Sequence, residues 1–171
     1  MALAAFDGLT SRRLAALLAL ACLGALGGAF TMQWLGYKPC ELCYLQRIAY
    51  YAGAPTAAAA ALAGPGARRA LLWALALAFL ANAGLGVYHS GVEWKLWAGP
   101  TACTGEALPT AKDMADFMKR LQTTQVVRCD EPAIRILGLS MAGWNAILSS
   151  GLAAAAAMGA VMAAKRTGTA R

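Results

Sequence analysis

Charge is scarce in this chain. Only 13% of its 171 residues are Asp, Glu, Lys or Arg, against about 25% in an ordinary soluble domain. That shortage excludes a typical water-soluble fold. Repeats are lacking too, since the alanine tracts at 57–61 and 153–157 share no larger unit. A second Cys-x-x-Cys is missing, and zinc ribbons usually carry two such knuckles. A four-thiolate zinc site is therefore disfavoured, and no metal is expected.

Apolar length is what the chain has in abundance. Hydrophobic residues make up 60% of it, and runs of about 20 apolar residues are long enough to cross a bilayer. Four such runs stand out: Leu14–Trp34, Tyr44–Ala63, Ala70–Tyr88 and Gly138–Ala164. The expected fold is an all-α integral membrane protein, a single-domain four-helix transmembrane bundle over residues 1–171 with loops at 35–43 and 89–137. The chain is expected to be monomeric. Ser11-Arg12-Arg13-Leu14 and Ala19-Leu20-Ala21-Cys22 loosely resemble processing signals. However, the apolar run continues to Phe30, beyond the 7–15 residues of a signal-peptide core. An uncleaved first span follows.

The formal charge of +7 invites a nucleic-acid reading, but its distribution argues against one. Arg12, Arg13, Arg68, Arg69, Lys165, Arg166 and Arg171 crowd into tails and one short turn. The remaining eight basic residues lie mostly in a long loop with seven acidic ones. Density in short segments orients membrane proteins, so both termini and the Gly64–Arg69 turn are expected in the cytoplasm. The other two loops then face outward. Within the membrane, Gly24 and Gly28, and Gly143, Gly151 and Gly159, read as helix-packing positions. Asn82 and Asn145 are candidates for an interhelical hydrogen bond, and Gly53-Ala54-Pro55 for a kink. The alanine tracts read as filler.

Cys40-Glu41-Leu42-Cys43 lies between two of the apolar runs. Such a pair forms an easily reduced disulfide suited to electron exchange, here at a membrane surface within reach of lipid-soluble carriers. Cys103 and Cys129 fall in the same outward compartment, while Cys22 reads as a small buried apolar residue. Four cysteines allow three pairings, and local geometry favours Cys40–Cys43 with Cys103–Cys129, the latter closing a loop of 25 intervening residues. Structural staples are the alternative. Cys43 is expected in the first turn of a helix, where the positive end of the dipole favours a thiolate. Arg47 sits at i+4 on the same face. It either snorkels to head groups or stabilises that thiolate and donates to a carrier's carbonyl oxygen.

The second outward loop opens at His89, the only histidine, a candidate hydrogen-bond partner or proton donor near the redox face. Trp94 and Trp97 read as interfacial anchors. Thr110 and Asp113 resemble a capping box before Met114, Phe117, Met118 and Leu121, which share one helical face. A short amphipathic interfacial helix is expected there. Arg128-Cys129-Asp130-Glu131-Pro132 reads as a mobile, proline-stopped segment.

Taken together, these residues resemble the bacterial disulfide bond formation protein B (DsbB) family of membrane quinone reductases over nearly the whole chain. Tyr88-His89-Ser90-Gly91-Val92-Glu93-Trp94 and Gly99-Pro100-Thr101-Ala102-Cys103-Thr104-Gly105 look like a subgroup form of its third-span-to-loop segment. The resemblance implies an inner-membrane enzyme that reoxidises a periplasmic DsbA-like dithiol oxidase. Electrons would pass from Cys103–Cys129 to Cys40–Cys43, then to a quinone near Arg47 and His89, ubiquinone rather than menaquinone. A non-enzymatic, disulfide-stapled membrane scaffold is the competing class. A carrier of reducing power outward would need thiols within the spans, and only Cys22 is there.

Overall fold

The computed structural model describes residues 2–100, 113–115, 118 and 128–168. Among these residues, four long helices and a small hairpin run in the order α1 (Ala2–Trp34), α2 (Glu41–Leu62), α3 (Pro65–Glu93), β1 (Arg135–Ile136), β2 (Leu139–Ser140) and α4 (Met141–Gly168). Helix α2 starts where Cys40 takes an extended conformation and its sulfur accepts the Cys43 N–H at 3.4 Å. A redox sulfur thus occupies the position usually given to Ser or Asp. Helix α3 starts at Pro65, whose fixed φ suits a first helical turn, so only Ala63 and Gly64 separate it from α2. The expected six-residue turn is therefore shorter. Arg68, within α3, is buried, and its guanidinium donates to Ala60 O at 3.1 Å and Ala63 O at 2.5 Å. It satisfies carbonyls that the end of α2 leaves open, and is not the exposed flanking charge that the sequence suggested.

Among the described residues, three helices are long and apolar enough to cross a membrane, through Thr10–Trp34, Pro65–Glu93 and Met141–Ala164. These match three of the four expected spans. Helix α2 forms, but Gln46, Arg47, three tyrosines and Pro55 dilute its hydropathy. It runs unbroken through Pro55. Helix α4 starts three residues later than expected because 135–140 fold into the hairpin. Leu137 and Gly138 at its tip both have positive φ, 52° and 83°, as a tight primed turn requires.

The helices meet through small residues. Ala57, Ala60, Ala156 and Ala160 are fully buried beside Leu72, Phe79 and Cys22, so the alanine tracts are packing surface and not filler. Leu20, Leu77, Leu80 and Ile147 point outward and stay exposed. Cys22 is the buried apolar residue expected. Of the expected packing glycines, Gly159 meets Leu14 and Leu72, each 3.2 Å from a Cβ placed there, and Gly86 is tighter still, its Cβ 2.9 Å from the backbone nitrogen of Ala146. Around Gly24, Gly28 and Gly151 a Cβ meets nothing within 4 Å. Asn82 and Asn145 do bond across helices, at 3.3 Å, within a cluster that includes Tyr50 and Ser149. The expected interfacial helix falls largely outside the described residues, as does Cys103.

Candidate redox site

Cys40 and Cys43 are both free thiols, with their sulfurs 2.8 Å apart. The helical start that makes Cys40 the cap brings Cys43 back over it one turn later. The Cys40 thiol is lowered to about 5, first by its hydrogen bond with Cys43, against the cost of burial, and then by its hydrogen bond with His89. The backbone N–H of Cys43 contributes in the same direction. In the reduced pair Cys40 is the thiolate and Cys43 holds the proton. This reverses the expectation that the helix N-terminus would ionise Cys43. The cap sulfur accepts the Cys43 backbone N–H and faces His89, whereas Cys43 stands one turn into the helix.

His89 is 2% exposed. Its Nε2 lies 3.6 Å from Cys40 Sγ and 3.9 Å from Glu93 Oε1, while Nδ1 lies 2.9 Å from the side-chain amide nitrogen of Gln46. Gln46 and Glu93 had no motif to announce them in the sequence. The signal that would have found them is helical spacing. Glu93 is at i+4 from His89 on α3, and Gln46 stands one turn below Cys43 on α2.

Cys129 is buried and disulfide-bonded. It packs with Cys40, Leu42 and Val92. The sulfurs of Cys40 and Cys129 and a ring nitrogen of His89 all lie within 4.8 Å of one another. Three such groups could in principle hold a cation, but a sulfur committed to a disulfide has no thiolate to offer a metal. The expectation of a mobile segment is corrected here. Asp130 binds Lys95, and accepts from Arg128 Nε at 2.9 Å and Nη2 at 2.8 Å. Those cations hold its carboxyl well below the usual carboxylate range. The segment is tied down next to Cys40.

Arg47 lies on the same face as Cys43 and reaches α1. Its Nη1 donates to Gln33 Oε1 at 3.0 Å and its Nη2 to Ala29 O at 3.5 Å. The guanidinium also lies over the rings of Tyr44 and Phe30, 5.3 and 5.7 Å from their centroids. Trp97 folds back over Gly91, stacks on Tyr88 and donates to its carbonyl at 2.9 Å. Trp94 remains exposed.

A cavity of about 420 Å³ opens against this cluster, within the usual range for small-molecule sites. Cys40, Cys43, Arg47 and His89 line it together with apolar residues such as Leu26 and Leu148. A planar polar head with a hydrocarbon tail suits such a lining.

The low pKa of Cys40 has a measurable consequence. In reduced protein carrying Cys103→Ser and Cys129→Ser, ultraviolet thiolate absorbance should rise with a midpoint near pH 5. Above that pH the Cys40 thiolate is fully formed, and it is lost as pH falls through the midpoint. Cys40→Ser should abolish this step. A midpoint near the ordinary thiol value, about 8.5, would mean that the converging donors do not act as described.

Residues 11–159 match the family profile described as disulfide bond formation protein DsbB. The chain is 32% identical over 148 residues to "Disulfide bond formation protein B" of Marinobacter nauticus, covering 83% of this chain and 87% of that protein. It is 39% identical over 137 residues to "Disulfide bond formation protein B 1" of Pseudomonas putida, covering 78% and 80%. A third relative, from Chromobacterium violaceum, is 33% identical over 149 residues, covering 84% and 89%. No solved structure matches.

Proposed function

Because the chain belongs to the DsbB family of disulfide bond formation proteins, we propose that its four loop cysteines relay electrons from a periplasmic DsbA-like oxidase to a quinone beside Arg47. The chain is a multi-pass membrane oxidoreductase that generates disulfides, and quinone-linked reoxidation of DsbA is the family's role. A non-enzymatic scaffold is not favoured.

One observation carries the residue-level reading: the convergence of Cys40, His89 and Cys129 within 4.8 Å. Since Cys22, Cys40 and Cys43 are free, we take Cys103, the remaining cysteine, as the partner of Cys129. A thiolate of the oxidase attacks Cys103, breaks Cys103–Cys129 and frees Cys129 as a thiolate. Cys129 then attacks the neighbouring Cys40, forming Cys40–Cys129 and releasing Cys43 as a thiolate beside the cavity. The oxidase's second thiolate resolves the mixed disulfide, and the freed Cys103 recaptures Cys129. The oxidase leaves oxidised, and Cys40 and Cys43 are left as the reduced pair. Two electrons and two protons then pass to the quinone as Cys40–Cys43 re-forms.

The lining fits a quinone. Arg47 and His89 supply polar groups at the redox end, and the apolar wall accommodates the isoprenoid tail. A bound quinone supplies the two-electron acceptor that thiol pools cannot. A DsbA-type couple at about −120 mV is already a strong oxidant, which favours ubiquinone, the higher-potential quinone, over menaquinone. Helix α2 completes a four-span monomeric bundle in this reading, since Gln46 bonds to His89 and Arg47 to α1. Both termini lie in the cytoplasm and the cysteine loops in the periplasm.

The test uses purified protein, a reduced DsbA-like oxidase and either quinone, with quinone reduction followed optically. Stoichiometric reduction that needs the oxidase is the expected result, and its absence with both quinones sinks the proposal. Orientation is read separately in cells. Membrane-impermeant thiol reagents should label reduced Cys103 and Cys129 from outside, and labelling only after the inner membrane is opened would reverse it.

A further inference from the structure

Glu93 is the acidic side chain that the relay leaves without a task. Its side chain is 4% exposed, its Oε1 lies 3.9 Å from His89 Nε2, and its Oε2 has no hydrogen-bond partner. It lines the same cavity as Cys40, Cys43 and Arg47. An unpartnered carboxylate oxygen is costly in a buried site, and its placement against the reacting sulfurs calls for a reason beyond packing.

The hydrogen count around His89 supplies one. Gln46 presents its amide nitrogen to Nδ1, so Nδ1 accepts and the single ring hydrogen of the neutral imidazole is on Nε2. That one N–H faces both Cys40 Sγ and Glu93 Oε1. The carbonyl of Cys129 is a further acceptor near the ring. Two acids therefore converge on one donor, and two buried anions so close together repel strongly. Only one of the two can be ionised at low cost. Resting on the relay reading above, we propose that Glu93 holds the proton that Cys40 gives up, and releases it when the Cys40–Cys43 disulfide forms.

The step balances. In the reduced pair Cys40 is a thiolate, Cys43 is a thiol and Glu93 is a carboxylic acid. On oxidation the Cys40–Cys43 S–S bond forms, and the S–H bond of Cys43 and the O–H bond of Glu93 break. Two electrons from the sulfurs and these two protons convert the quinone to the hydroquinone. His89 Nε2 is the stepping stone by which Cys40 loads Glu93. The site carries one negative charge before and after, on Cys40 and then on Glu93, so no net charge is created in a poorly solvated space. Four other groups face Glu93: Cys43 from α2, His89 from α3, Arg135 from β1 and the hydroxyl of Ser140 from β2. Cys40 faces it from the loop. Arg135 and Ser140 bring the hairpin's charge and hydroxyl toward the carboxyl, which gives that small element a place in the site.

Infrared difference spectra of quinone-free full-length protein, reduced minus oxidised at Cys40–Cys43, test this without turnover. The reduced state should show a carboxylic-acid C=O band that vanishes on oxidation and is missing in Glu93→Gln. In His89→Gln the carboxyl remains but its band should lose the redox response. Formation of the Cys129 disulfide reports that each variant has folded. With quinone and the reduced oxidase, Glu93→Gln should slow quinone reduction roughly 100-fold, the low end of general acid–base effects, and flatten its pH profile. Glu93→Asp should recover part of the rate. A redox-silent carboxyl region, or a band that survives in Glu93→Gln, overturns the proposal. If wild-type protein fails to reduce quinone while the band responds, the relay reading fails and the proton assignment stands.

Discussion

Replacing Cys129 by serine is expected to trap a covalent complex with the DsbA-like oxidase and to bring partner-driven quinone reduction down to background. Cys103 then has no resolving partner, so the mixed disulfide it forms persists. Cys40→Ser should be equally inactive for a different reason. Cys40 is the sulfur within 4.8 Å of Cys129, and its loss removes the entry point of the second disulfide. Cys43 would remain as a lone thiolate facing the cavity, able to form a coloured charge-transfer pair with quinone that the Arg47 guanidinium favours. Cys22→Ser should change neither complex nor turnover, because Cys22 is wholly buried among core residues. Non-reducing gels and optical turnover measurements on the same preparations read both effects. Intact partner-driven turnover after loss of Cys103 or Cys129 would dismantle the relay.

The second large effect is at Arg47. Arg47→Ala should raise the apparent KM for quinone about 10- to 100-fold, as expected for losing a charge-assisted hydrogen bond of about 1.5–3 kcal/mol. Both disulfides should still form. Arg47→Lys should recover only part, since an ammonium lacks the planar fork that here spans Gln33 and Ala29 while lying over two rings. A quinone dependence identical to wild type in both variants would leave Arg47 with a purely structural hold on α1. His89→Ala is expected to affect quinone affinity less than Arg47→Ala does.

How much of this was legible beforehand differs by element. The membrane class, the Cys-x-x-Cys pair and Arg47 one turn beyond Cys43 follow from local spacing, because periodicity and capping act over a few residues. The interhelical bond between Asn82 and Asn145 was legible for another reason: an amide in an apolar run has few partners besides another amide. Packing details were not. Gly159 packs as its spacing suggested, but the close backbone approach at Gly86 carried no such signal, and the small-residue spacing of Gly24 and Gly28 faces open space. Hydropathy also placed Arg68 at a surface, whereas it folds back on the end of α2.

From the sequence alone came the apolar helices, the cysteine inventory and the kind of chemistry, since those depend on composition and short-range order. Which sulfur carries the charge, and what surrounds it, the tertiary structure decided. Cys40 becomes the thiolate because Cys43, 3 residues away, and His89, 49 residues away, converge on it. Gln46 and Glu93 join the site because α2 and α3 pack so that His89 lies between Gln46, Glu93 and Cys40. Charge stabilisation in a poorly solvated pocket is set by distances between groups remote in the chain, and the fold alone supplies those distances.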